Sequence, residues 1–135
     1  MKLKNILMVG AISVGLWSCK NATLVSEESH TEVRKMVISP ETTLLDVRVP
    51  EQFSQGTARD AINIPLAQIE KNIDFLRKQK QIVVFCNSGK QAAQAVEILK
   101  KNGLENVYDA KTLYNVKAIR KQSAGRVPQN DEKAF

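Results

Sequence analysis

The chain has 135 residues, 43% of them hydrophobic, which suits one compact core and leaves little for a second once a leader is set aside. Its 20 basic and 14 acidic residues give a net charge of +6, or +4 without Lys2 and Lys4. No basic run with interleaved aromatics accompanies that charge, so it speaks for solubility and weak electrostatics and excludes nucleic acid as a partner.

Residues 1–4 carry two lysines, and residues 6–17 form an uncharged, mostly apolar run, the layout of an export signal. A spanning helix wants about 20 apolar residues, and this run stops short at Ser18-Cys19 before the polar Lys20-Asn21. Leu16-Trp17-Ser18-Cys19 resembles the lipobox of bacterial lipoproteins, which implies a signal peptide over 1–18, lipidation at Cys19 and a short spacer to residue 22. The expectation is an exported lipoprotein of the cell envelope, on the periplasmic side or outer membrane. Its acyl chains would hold it there at about 0.8 kcal/mol per buried CH₂. Acylation of Cys19 leaves Cys86 as the one free thiol, in a compartment where disulfides form, and an unpaired thiol there is reactive or pairs between chains.

The globular domain is expected over 23–121, with a polar tail over 122–135. Thr23-Leu24-Val25 reads as a short edge strand, and Ser26 as the cap of a helix. That helix has acidic residues early and basic residues late, with Val33, Met36 and Val37 on its apolar face. His30 lies on its polar side and reads as a solvated residue; no metal site and no cofactor are expected. Pro40 ends the helix. Residues 44–48 read as a buried strand, 50–53 as a helical turn, 61–64 as a strand stopped by Pro65, and Ile69, Ile73 and Leu76 as one face of a helix reaching about residue 80. Ile82-Val83-Val84-Phe85 is a continuous β-branched and aromatic run, the mark of a buried parallel strand. It ends at Cys86, where such sheets collect their chemistry. Asn87, Ser88, Gly89, Lys90 and Gln91 form a loop entering a helix with Ala92, Ala95, Val96 and Leu99 on one stripe, closed by Asn102-Gly103. Val107-Tyr108 is the last strand, and Leu113, Val116 and Ile119 mark a last helix. The alternation predicts a single three-layer α/β domain, with a central parallel sheet of about five strands covered by helices on both faces.

Three segments together, Leu44-Leu45-Asp46-Val47-Arg48-Val49-Pro50-Glu51-Gln52-Phe53, Ala61-Ile62-Asn63-Ile64-Pro65 and Val83 to Gly89 with Cys86, resemble a rhodanese-like (sulfurtransferase) domain. The resemblance implies that Cys86 is a nucleophile. It would take sulfane sulfur from a small anionic donor of the thiosulfate or polysulfide type, hold it as a persulfide and pass it to a thiol or cyanide acceptor. It also implies a substrate-binding loop at Asn87, Ser88, Gly89, Lys90 and Gln91, with Asp46 and Arg48 in support as a salt bridge or loop brace; where the family's Gly-His-Ile-Pro-Gly segment is altered to Gly56-Thr57-Ala58-Arg59-Asp60, Arg59 is expected to bring a supporting cation from another loop. Loop N–H groups and the following helix terminus suit such an anion. The chain departs from the commonest family loop, Cys-Arg-Ser-Gly-x-Arg, at Asn87 and Gln91, which leaves Lys90 as the loop's only charge. The Gly-Gly and tryptophan expected near the end are replaced by Lys111, Thr112 and their neighbours, with Tyr114 at the aromatic position. A guanidinium grips an oxyanion through two bonds and an ammonium does not. The competing expectation is therefore a catalytically weak or inactive module that binds a protein partner or a small anion. Phosphatase chemistry of the related arginine-loop type is disfavoured by Gln91 and by a loop one residue short.

Overall fold

The computed structural model describes the backbone of residues 21–125 and the side chains of residues 29–125. The leader, Cys19 and most of the expected tail lie outside the described residues. A long helix, α1 (Asn21–Ile38), leads into strand β1 (Thr42–Asp46), helix α2 (Pro50–Ser54) and the two-residue strand β2 (Ile62–Asn63). Two 3₁₀ turns (Leu66–Gln68 and Glu70–Asn72) precede helix α3 (Ile73–Arg77), strand β3 (Gln81–Cys86), helix α4 (Lys90–Lys101), strand β4 (Val107–Thr112) and helix α5 (Leu113–Ala124). The sheet is parallel throughout, in the order β2-β1-β3-β4.

Alternation along the strands divides the core into two layers. Leu45, Ile82, Val84 and Cys86 face one side, against Ile69, Ile73, Leu76, Ala92, Ala95 and Leu99. Leu44, Val83 and Phe85 face the other, against Val37 and Val116 of α1 and α5. The sequence expectation of an α/β sandwich holds, and the small-residue stripe of α4 lies where it was expected, with Ala92 and Ala95 letting the helix come close to the sheet.

Four details differ from the sequence reading. The described sheet has four strands, because Thr23-Leu24-Val25 belongs to α1 and Ser26 lies inside that helix. Extending a helix adds one hydrogen bond per residue, whereas a three-residue strand needs a partner edge. The segment of Ile69, Ile73 and Leu76 is not one helix: Asn72 stands at φ −110° with its side-chain amide donating to the Gln68 carbonyl at 2.8 Å, a local bond that competes with helix continuity. All three apolar residues are buried all the same. β4 runs four residues past Tyr108, through a bulge that disguises Asp109 to Thr112 as loop. α5 extends to Ala124, into the segment read as tail.

Candidate active site

β3 delivers Cys86 to the carboxyl end of the sheet between β1 and β4, where it is 1% exposed. The chain then turns through Asn87 and Ser88 to Gly89, which caps α4 at φ +89°. Only glycine takes that conformation at no steric cost, and here the turn brings the Gly89 N–H to 3.0 Å from Cys86 Sγ. On the other side the thiol reaches the Lys111 carbonyl of β4 at 3.7 Å. The sulfur thus has an acceptor when protonated and a donor when ionised. The first bond of α4 runs from the Ala93 N–H to the Gly89 carbonyl at 3.0 Å, so the N–H groups of Lys90, Gln91 and Ala92 have no partner within the helix. They form a positive end beside the sulfur, the arrangement that receives anions.

The loop is braced from β1. Asp46 is wholly buried and Arg48 is 5% exposed. Arg48 donates to Asp46 through Nε, at 2.9 and 3.1 Å, and through Nη2 at 2.6 Å, while its backbone N–H reaches Oδ1 at 3.1 Å. The Thr57 hydroxyl donates to Asp46 Oδ2 at 2.8 Å. Nη2 also reaches the Gly56 carbonyl at 2.8 Å, and Nη1 reaches Asn87 Oδ1 at 3.1 Å. One guanidinium therefore ties β1, the 56–57 loop and the cysteine loop together. Hydrogen bonding to Asp46 holds Arg48 above its ordinary pKa; burial opposes this, and the charges of Asp46 and Cys86 add to it. The guanidinium remains a cation across the working range of any protein.

The residues singled out from sequence fall into three groups. Cys86, Gly89, Asp46 and Arg48 meet at one place, and Asn87 joins them through its side chain, which is occupied by Arg48. Ser88 and Lys90 are exposed and Gln91 is half-buried, all at the rim. Arg59 is not among them. Its carbonyl accepts from Arg120 Nη1 at 2.6 Å, and it lines a separate concavity with Ile38, Lys117 and Ser123, so its loop is drawn toward α5. Tyr114 is 80% exposed and packs no core. Sequence reasoning missed the part of Thr57 and that of Asn63, whose amide bridges the Asp46 and Arg48 carbonyls at 2.9 Å each. A polar residue between Ile62 and Ile64 was the available signal. It also missed Lys111 beside Gly89.

A family profile described as "Rhodanese-like domain" matches residues 29–112. Thiosulfate sulfurtransferase PspE of Escherichia coli K12 is 40% identical over 74 residues, covering 53% of this chain and 71% of that protein. Thiosulfate sulfurtransferase 16, chloroplastic, of Arabidopsis thaliana is 39% identical over 77 residues, covering 48% of this chain and 64% of its own. Among solved structures, a "rhodanese with anions" from E. coli superposes with a TM-score of 0.51 at 38% identity, over 55% of this chain and 89% of that one. The chain belongs to the rhodanese-like family and is a relative of sulfurtransferases within it.

Proposed function

We propose that the protein is a sulfurtransferase that carries sulfane sulfur as a persulfide on Cys86. The observation that supports this reading is the 3.0 Å approach of the Gly89 N–H to Cys86 Sγ at the head of α4, with three further N–H groups left over. After the thiol proton has passed to solvent, the thiolate attacks the outer sulfur of thiosulfate. A new S–S bond forms, the S–S bond of thiosulfate breaks, and sulfite leaves with the electron pair. A thiol acceptor as its thiolate, or cyanide, then attacks the outer sulfur of the persulfide. That bond breaks, the Cys86 thiolate returns, and no outside oxidant or reductant is consumed. The near-complete cover over Cys86 favours small, narrow donors over bulky disulfides.

The kinetic test is thiosulfate-to-cyanide transfer by the wild type and by Cys86→Ser. Thiocyanate formation that falls to background in the variant agrees with the proposal, and equal rates overturn it. Export and membrane anchoring through Cys19 form part of the same proposal, supported by the lysine-led apolar run and the motif at residues 16–19. Fatty-acid labelling in cells is expected to mark the wild type and not Cys19→Ser. An unlabelled wild type removes the anchor from the account.

A further inference from the structure

The reaction above makes no use of the Lys111 side chain, yet the fold takes trouble over this residue. Lys111 and Asp60 are the non-glycine residues with positive φ among those described, at +64° and +63°. Aspartate tolerates that region through its short polar side chain, whereas lysine has no such compensation. Three features hold Lys111 there. β4 bulges, so that Val84 pairs with Asp109 and Phe85 with Lys111, leaving Ala110 as the extra residue. The Lys111 N–H donates to Asp109 Oδ1 at 2.7 Å, fixing the turn. The Lys111 carbonyl accepts from Cys86 Sγ at 3.7 Å. A side chain built on Gly89 would begin 3.3 Å from Lys111 Cβ, so the lysine stem is rooted against the cysteine loop.

Backbone strain of this kind persists where the surroundings over-determine it, and such places cluster at functional sites. The Lys111 side chain is exposed and makes no ion pair among the described residues; the Asp109 carboxylate is turned to the backbone N–H instead. Arg48, the buried cation of the site, is spent on Asp46, Gly56 and Asn87.

We propose that Lys111 is a specificity-determining residue, whose ammonium stands at the entrance to Cys86 and selects anionic sulfur compounds. The substrate class rests on the sulfurtransferase reading; the placing of the Lys111 carbonyl and stem beside Cys86 and Gly89 rests on the geometry alone. A flexible ammonium suits this part, attracting a dianion without locking it in one pose.

The test compares alkylation of Cys86 by iodoacetate, an anion, and by the neutral iodoacetamide, on the full chain, with Cys86 followed by peptide mass. In Lys111→Gly the iodoacetate-to-iodoacetamide rate ratio is expected to fall about fivefold at low salt, for one charge lost near the sulfur. The difference should shrink once the screening length drops to about 10 Å near 0.1 M salt. Lys111→Arg should restore the ratio. Glycine suits the backbone here, so Lys111→Gly should melt no lower than the wild type, which separates charge from damage. KM for thiosulfate should rise with the loss of the ratio. An unchanged ratio in Lys111→Gly overturns the proposal, and so does a wild-type thiol that neither reagent reaches. A ratio that falls in a protein with no thiosulfate turnover sinks the sulfurtransferase reading and leaves the charge selection standing.

Discussion

Two kinds of basic residue stand on the segments that frame Cys86, and they are built in opposite ways. Arg48 is buried, and each of its three side-chain nitrogens donates to a partner of the chain itself: Asp46, the Gly56 carbonyl or Asn87. Lys90 and Lys111 are exposed and make no ion pair among the described residues. A buried charge is tolerable only when every donor is satisfied, and no buried side-chain nitrogen or oxygen among the described residues lacks a partner. Such a group positions the loop and has little left for a ligand. The exposed lysines bring almost nothing to stability, and their charge is free to act on what approaches. In the proposal, the work is divided between a buried cation that shapes the site and exposed ones that attract the donor.

Removing the buried member should have the largest effect. Arg48→Met leaves the wholly buried Asp46 carboxylate without its counter-charge and frees Asn87, and is expected to cost about 3–5 kcal/mol in urea unfolding. Adding Asp46→Leu to that variant should recover much of the loss, since an apolar pair leaves no orphaned charge. A single variant as stable as the wild type would show that the brace is not what holds the loop.

The seam between the two regions is Gly89, and breaking it should have a middle effect. Gly89→Ala forces an L-residue to φ +89° and sets its Cβ 3.3 Å from Lys111 Cβ. About 1–2 kcal/mol of stability should go, together with the N–H contact to Cys86 Sγ, so the thiol should alkylate more slowly at neutral pH. Faster alkylation would mean that the contact shields the sulfur instead of activating it.

The smallest effect should come from strengthening the rim. Gln91→Arg offers a bidentate donor at the head of α4 and is expected to raise kcat/KM for thiosulfate a few-fold, on the order of 1 kcal/mol or less, with little change in Tm. No gain would mean that Lys90 and Lys111 already supply the charge a donor needs.

The buried half of this comparison was largely legible in the sequence. Asp46 and Arg48 end an apolar strand, Cys86 ends another, and Gly89 sits where the chain must turn into an Ala-rich helix, all features of local pattern. The sandwich followed from the same alternation of strands and helices. What was not legible is what the third dimension brings together. Thr57 is eleven residues from the carboxylate it meets. Lys111 joins Gly89 through a bulge whose extra residue hides the register of β4, and a run of Asp109, Ala110 and Lys111 reads as a loop to any periodicity argument. Which element captures the Arg59 loop is likewise not written locally: Arg120, sixty-one residues on, takes the Arg59 carbonyl. The missing fifth strand has a similar cause, since three β-prone residues beside a helix are absorbed by it.

The central claim is that Cys86 accepts sulfur, and intact-mass measurement tests it most directly. After incubation with thiosulfate and removal of excess donor, the wild type is expected to gain about 32 Da, one sulfur, reversed by cyanide and absent in Cys86→Ser. A wild type whose mass is unchanged, under conditions that load a thiosulfate sulfurtransferase relative, would contradict the account.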